Sequence, residues 1–240
     1  MKVIALCANF KVAIALWYQL HRLDHIDFTI LISKASKKQG RIAFIWQLLK
    51  GFLGRLWPRD QCLAWQLWRA KKLHISLSAL QDESTLAWIR QQAPDVGLHA
   101  IGVIYRKSIL DCFRLGILNP HIGLLPEYRG RSVMEWSLLN GDPTGITTFF
   151  IDEGIDTGAR LVLREAVDVS LFREIAAAKQ FLFSLNGVMF AKALEVLQPS
   201  ESAGLCHQKP EDGKRYYVMS SLFTEVARQM LPASATSETS

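Results

Sequence analysis

Asn119 and His121 are the residues of this sequence whose types and spacing best suit chemistry. In extended backbone, side chains two positions apart point to one face. An amide can donate to a developing oxyanion, and an imidazole can move a proton. A carboxylate beside the imidazole would fix its tautomer, and Asp152, Glu153 and Asp156 are the candidates. No serine or cysteine adjoins His121, so direct acyl transfer to an amine fits best. A structural histidine hydrogen-bonded in a turn remains the alternative.

The elements before these residues predict an open α/β sheet. An apolar run over Lys2–Ala8 predicts a buried strand, Lys11–Leu23 has helical spacing, and Phe28–Ile32 predicts a second strand. Val96–Tyr105 is a continuous apolar run, which predicts a central strand. No phosphate-binding glycine motif follows the first strand. We therefore predict a Rossmann-like open, mostly parallel sheet flanked by helices, with a small C-terminal appendage.

The predicted sheet places Asn119 where ligands bind. Leu115–Asn119 predicts a strand that ends at Asn119, and open α/β sheets bind ligands beyond the carboxyl ends of their strands. Ala159–Val169 predicts a further strand, and Leu171–Leu197 predicts one long helix. The expected domains are a catalytic domain over 1–198 with a helical insertion at 40–70, an appendage over 199–231 and a disordered tail over 232–240.

The composition indicates the class of protein but does not identify its partner. Half of the 240 residues are hydrophobic, as in a globular protein with a core. The formal charge of +6 and the pI near 9.2 allow a nucleic acid, a membrane surface or a small anion as partner. Four widely separated cysteines form no CxxC pair, so we expect neither a metal site nor disulfides. Without an evident signal peptide, a cytoplasmic location is expected.

Residues 40–68 form an unusually apolar segment. Trp46, Phe52 and Trp57 lie among aliphatic residues, with Lys50 and Arg55 interspersed. The segment is too short and too charged to span a membrane. It predicts an amphipathic helix that either packs over the sheet or contacts a membrane surface or a protein partner.

Three spaced motifs carry a resemblance to a known family. They are Asn119-Pro-His121-x-x-Leu-Leu-Pro-x-Tyr-Arg-Gly130, then Leu-Asn-Gly141 with Thr144-Gly-Ile-Thr147, and then Asp152-x-Gly-x-Asp156-Thr-Gly158. Together they resemble the catalytic domain of the 10-formyltetrahydrofolate-dependent formyltransferases. That family includes enzymes acting on methionyl-tRNA, glycinamide ribonucleotide and amino sugars. The resemblance is strong from Pro94 to Leu163.

The resemblance implies roles for individual residues. Asn119 would polarise the formyl carbonyl, His121 would stabilise the oxyanion and move protons, and Asp156 would pair with His121. The formyl donor implied is 10-formyltetrahydrofolate, with no metal. The positions implied to bind it are Val103, Ile104, Tyr105, Ile151, Asp152, Glu153 and Gly154.

Departures from the family pattern bear on the acceptor. The common His-Pro-Ser is His121-Ile122-Gly123 here, and the segment Arg131–Trp136 differs from the tRNA enzymes. The missing phosphate turn counts against glycinamide ribonucleotide, and the chain ends before a C-terminal tRNA-binding domain. We therefore expect a primary amine on a small molecule, such as an amino sugar, and no nucleic-acid partner. Methionyl-tRNA or glycinamide ribonucleotide formylation, and a non-catalytic folate- or metabolite-binding module, remain alternatives. The oligomeric state is left open.

Overall fold

A computed structural model describes residues 1–34, 72–153, 156–158, 160–197, 206–207 and 209–231. The chain divides into two compact units, Met1–Leu118 and Asn119–Ser240. The predicted insertion at 40–70 and the predicted tail at 232–240 lie outside the described residues, as does the apolar segment at 40–68. In the part of the chain that is described, no helix has the length and apolar character needed to cross a membrane.

The first unit is a parallel sheet with helices between its strands. Its elements, in chain order, are β1 (Lys2–Cys7), α1 (Phe10–Leu20), β2 (Asp27–Lys34), β3 (Lys72–Ser76), a 3-10 helix (Leu77–Gln81), α2 (Glu83–Gln92), β4 (Val96–Ala100), α3 (Lys107–Leu110) and the start of β5 (Gly116–His121). The strands lie in the order β3-β2-β1-β4-β5, and every neighbouring pair is parallel.

Local chemistry explains how the sheet begins. From Val3 to Cys7 every residue of β1 is buried, so the apolar run is a central strand as predicted. Asn9 does more than break that strand, because its Oδ1 accepts a hydrogen bond from the Val12 N–H at 3.1 Å and caps α1. The helix then buries Ala13 and Leu16 among its apolar residues.

The second unit begins within β5 and continues through mixed strands and helices. Its elements are β6 (Tyr128–Gly130), α4 (Val133–Asn140), β7 (Gly145–Phe150), β8 (Arg160–Ala166), α5 (Ile175–Ser184), α6 (Asn186–Val196), β9 (Cys206–His207), a 3-10 helix (Pro210–Asp212), β10 (Lys214–Tyr216) and α7 (Ser221–Gln229). The strand order is β5-β7-β8-β9, in which β8 is antiparallel to both β7 and β9. Strands β6 and β10 form a separate parallel pair.

The predicted fold class is confirmed, but some of the predicted elements are wrong in extent. The run Val96–Tyr105 leaves the sheet after Ala100, and the rest is a loop. The predicted helix over Leu171–Leu197 is two helices that meet at Leu185. Both helices place an apolar face toward the core. The helical periodicity of the sequence therefore continues across Leu185 and does not reveal the break.

The C-terminal residues belong to the core of the second unit. Met219, Ala227 and Leu231 are buried in one cluster with Met134 of α4 and Ile146 of β7. The pairing of β10 with β6 and the packing of α7 against α4 therefore attach the end of the described chain to the segment Tyr128–Asn140.

Candidate active site

Strand β5 carries Asn119 and His121 on one face. Both lie inside the strand, so the strand continues two residues beyond the predicted end at Asn119. His121 is buried, with 8% of its surface exposed, and Asn119 is half-buried. Among the described residues, no group hydrogen-bonds to the side chain of Asn119. Its amide is therefore free to donate to a bound ligand.

Both nitrogens of the His121 ring face defined groups. Nε2 lies 2.8 Å from the carbonyl oxygen of Tyr128, and that oxygen can only accept a hydrogen bond. Nε2 therefore carries a hydrogen, and the neutral ring has its lone pair on Nδ1. Nδ1 lies 3.6 Å from Oδ1 of Asp156. That distance is longer than a hydrogen bond, but the carboxylate charge is close enough to stabilise a protonated ring.

Asp156 is held by one backbone hydrogen bond and by an uncommon backbone conformation. Its φ is 52°, in the left-handed region that aspartate tolerates better than most residues. Its Oδ2 accepts a hydrogen bond from the Gly130 N–H at 3.0 Å. That contact leaves Oδ1 directed at His121, with only 15% of the aspartate side chain exposed. Of the carboxylates considered from the sequence, Asp156 is the one that the structure brings to His121.

Gly130 has a conformation that requires glycine. Its φ is 99°, and an added Cβ would clash with the carbonyl oxygen of Tyr216 in the paired strand β10. The same carbonyl accepts a hydrogen bond from the Arg131 N–H at 3.1 Å. The Gly130 amide that holds Asp156 is thus fixed by a strand that lies far along the sequence.

Tyr128 contacts His121, and sequence reasoning did not single it out. Its carbonyl fixes His121, and its hydroxyl donates to Asp142 and accepts from Asn140 Nδ2 at 2.9 Å. Its ring stacks on Tyr216 at 5.1 Å between centroids. Burial, with the hydrogen bond to Asp142, raises the pKa of its hydroxyl. The Tyr-Arg-Gly motif was a signal for this residue, but the motif does not reveal that its carbonyl orients the imidazole.

The loop at Val103–Tyr105, predicted to bind folate, lies in the first unit. The side chain of Ile104 is 77% exposed. The loop is fixed from both sides by Gln81, which donates to the Ile104 carbonyl at 3.2 Å and accepts from the Arg106 N–H at 2.7 Å. Tyr105 is buried, and its hydroxyl lies 2.8 Å from Nδ1 of His99. Tyr105 therefore anchors the loop, and Ile104 is presented to solvent.

The other predicted folate positions follow β7 in the second unit. Ile151 packs against a buried cluster that includes Leu125 and Phe149. Asp152 and Glu153 are exposed, and Asp152 Oδ1 accepts a hydrogen bond from the Thr157 hydroxyl at 2.8 Å. Gly154 lies outside the described residues. Over the described ranges, no three histidine, cysteine or acidic side chains are grouped so that they could hold a metal ion.

Comparison with known proteins identifies the class to which this α/β chain belongs. A model of the formyl transferase family matches residues 25–178. The methionyl-tRNA formyltransferase of Cyanothece sp. is 40% identical over 132 residues, which cover 54% of this chain and 36% of that protein. The chain thus spans little more than a third of the length of that relative.

Solved structures agree in fold. The phosphoribosylglycinamide formyltransferase of Anaplasma phagocytophilum superposes with a TM-score of 0.59 at 15% identity, over 90% of this chain and 99% of that one. A sugar N-formyltransferase of Shewanella sp. gives a TM-score of 0.54 at 16% identity, over 96% and 87%. The chain belongs to the formyl transferase family.

Proposed function

We propose that the protein transfers a formyl group from 10-formyltetrahydrofolate to a primary amine of a small molecule, with an amino sugar as the first acceptor to test. The observation that carries the proposal is the cluster of Asn119, His121 and Asp156 in a chain of this family. An uncommitted amide, a buried imidazole and an oriented carboxylate are the groups that acyl transfer to an amine requires.

The donor supplies an activated formyl carbon, and the described loops suit its binding. Ile104 offers an exposed apolar side chain on a loop fixed by Gln81, which suits contact with a flat ring. Val103 and Tyr105 complete that loop. Ile151, Asp152, Glu153 and Gly154, which follow β7 in the second unit, are likewise proposed as donor-binding residues, and Ile151 offers an apolar side chain.

Each catalytic side chain has one part in the proposed reaction. Asn119 Nδ2 donates to the formyl oxygen as negative charge develops on it. His121 takes the proton that the attacking amine must lose, and Asp156 stabilises the imidazolium that results. That proton is finally returned to the leaving nitrogen, so the products are a formamide and tetrahydrofolate.

Methionyl-tRNA is the second acceptor, and a specific observation favours it. The methionyl-tRNA formyltransferase of Cyanothece sp. is 40% identical to this chain over 132 residues. The departures in Arg131–Trp136 do not exclude it, because Trp136 is engaged internally: its Nε1 donates to the Tyr217 carbonyl at 2.9 Å. Trp136 is therefore a packing residue of the second unit.

An acceptor panel tests both alternatives. Purified protein is mixed with 10-formyltetrahydrofolate and, separately, nucleotide-linked amino sugars, glycinamide ribonucleotide and methionyl-tRNA, and tetrahydrofolate release is followed. We expect turnover with an amino sugar, and turnover lower by about 10²-fold or more with the Asn119→Ala variant. Turnover with methionyl-tRNA alone would move the assignment to the second acceptor. Folate binding without turnover on any amine would instead favour the non-catalytic alternative. The cytoplasmic location expected from the sequence is part of the same proposal.

A further inference from the structure

Helix α1 has an apolar flank that its contact with the sheet does not use. Phe10, Ile14 and Tyr18 are four positions apart, so they lie along one side of the helix. Their exposed fractions are 38%, 38% and 52%. The helix packs on the sheet through other positions, which include Ala13 and Leu16. The aromatic flank is therefore apolar surface beyond what the described sheet covers.

The neighbour of this flank within the sheet is β2. Trp17 lies between Ile14 and Tyr18 on the helix surface, and its ring lies 5.6 Å from that of Phe28 in β2, measured between centroids. The flank is thus on the side of α1 that leans toward β2. The Nε1–H of Trp17 is buried and has no hydrogen-bond partner among the described residues. Because a buried indole N–H usually has an acceptor, the flank calls for a neighbour that carries one.

The connection from β2 to β3 belongs on the same face of the sheet as α1. Strands β1, β2 and β3 are parallel and adjacent in the order β3-β2-β1, so the two crossovers step in the same direction. Such crossovers are right-handed in about 98% of cases, which places both on one face. Helix α2 leads from β3 back to β4 and so belongs on the opposite face. Residues 35–71, which form the second crossover, lie outside the described part of the chain, but Lys34 and Lys72 at its ends are fixed in the sheet.

The sequence of this connection is that of a segment that needs cover. Trp46, Phe52 and Trp57 lie among aliphatic residues at 40–68, and each aromatic side chain buries about 150–250 Å² when it packs. Contiguous exposed apolar patches above a few hundred Å² are rare in soluble proteins. A peptide segment also brings backbone carbonyls that can accept from Trp17, whereas the hydrocarbon of a bilayer has no acceptor.

We propose that the flank of Phe10, Ile14 and Tyr18 is the docking surface for residues 40–68 of the same chain. The apolar side chains of the segment cover the flank, and one of its carbonyl groups accepts from Trp17 Nε1. Of the contacts that the sequence allowed for 40–68, this one leaves its apolar residues without a membrane or a separate protein to bind. The inference depends neither on the acceptor nor on catalysis.

The first experiment reads the contact directly by photo-crosslinking. The photoreactive residue p-benzoylphenylalanine replaces Tyr18 in one sample of the full chain and Phe10 in another. Dilute protein is irradiated, monomeric adducts are isolated, and the joined peptides are identified by mass spectrometry. We expect adducts with residues 40–68 from both positions. As control, the same probe replaces Phe183, which is 53% exposed in α5, and should give no adduct with 40–68. Adducts from Tyr18 and Phe10 that only join other parts of the chain or a second molecule would overturn the inference.

The second experiment measures whether the two sides stabilise each other. Ile14→Gln and glutamine at the crosslinked residue should each lower the thermal unfolding midpoint by about 2 °C or more. The combined variant should lose less than the sum, because both changes remove one contact. Leu222→Gln is the control: that residue is 72% exposed in α7, and its effect should be small and should add to that of the segment variant. Additive losses for Ile14→Gln and the segment variant would contradict the contact.

The third experiment sets the membrane against this contact. The Tyr18 probe is irradiated with and without vesicles of equimolar phosphatidylcholine and phosphatidylglycerol, and flotation of the protein is followed. We expect the adduct with 40–68 to form equally in both samples. Flotation accompanied by loss of the adduct would overturn the inference and assign the segment to the lipid surface.

Discussion

Replacement of Asp156 by asparagine removes a charge while keeping the shape of the side chain. Asparagine retains an oxygen that can accept the hydrogen bond from Gly130, so the local backbone has its partner. The negative charge 3.6 Å from Nδ1 of His121 is lost. The variant therefore tests whether the reaction needs that charge when the imidazole takes the proton of the amine.

The expected loss follows from Coulomb's law at this distance. For a carboxylate and an imidazolium 3.6 Å apart, an effective dielectric constant of about 20 gives about 4–5 kcal/mol of attraction. Each ~1.4 kcal/mol changes the rate about tenfold. If the imidazolium forms in the transition state, we expect kcat to fall roughly 10³-fold, with donor binding and the thermal unfolding midpoint near those of the wild type.

The assay is tetrahydrofolate release at saturating donor and acceptor, beside a matched variant. Asp168→Asn makes the same replacement at an exposed carboxylate that also accepts a backbone hydrogen bond, there from the Ser170 N–H at 2.8 Å. That control should keep its kcat. Retention by Asp156→Asn of more than about a tenth of the wild-type kcat would refute the assignment, because the loss would fall short of the range for acid–base groups.

Three further predictions concern the candidate site and the core. Asn119→Ala should lower kcat by about 10²-fold or more through loss of an oxyanion donor, with little change in the free energy of unfolding. Thr147→Val should destabilise the protein by about 1–3 kcal/mol for each group left unsatisfied in the Gly123–Leu125 loop. The Thr148 hydroxyl is equally buried but has no hydrogen-bond partner among the described residues, so Thr148→Val should be neutral or stabilising. Equal losses of unfolding free energy in urea for the two threonine variants would contradict this. Burial raises the pKa of the Cys7 thiol from 9.0 to about 12, so its contribution to stability is complete below about pH 9 and is lost as the pH rises toward 12. Unfolding free energies should fall over that range in the wild type and fall less in Cys7→Ala; an identical fall in both would exclude the thiol as the cause.

Much of the fold follows from local sequence signals. The apolar run of β1 and the helical spacing of α1 predict both elements, because burial imposes those periods on any sequence that forms a sheet with flanking helices. The ends of these strands and helices follow less well from the sequence. The run after Val96 stays apolar to Tyr105, yet Ile104 faces solvent and Tyr105 is buried against His99. Hydrophobicity cannot separate a buried strand from the loop that follows it when both are apolar.

The candidate site was only partly predictable. The spacing of Asn119 and His121 places both on one strand face, but three carboxylates remained for the imidazole until the family resemblance selected Asp156. In the structure that selection comes from a left-handed backbone at Asp156 and from an amide 26 positions away, at Gly130. The contact between Gly130 and Tyr216 spans a still longer separation, and no local pattern encodes it.

The pairing of β6 with β10 means that the site is complete only after a late part of the chain has been synthesised. A nascent chain that ends before Lys214 already contains Asn119, His121 and Asp156, but it lacks the strand that orients the Gly130 amide. Contacts of such sequence separation close late in folding, because the entropy of closing the loop must be overcome first. Ribosome-bound chains of increasing length should therefore gain the fold of the first unit well before they gain catalysis. Activity should appear only after residue 216 has left the exit tunnel.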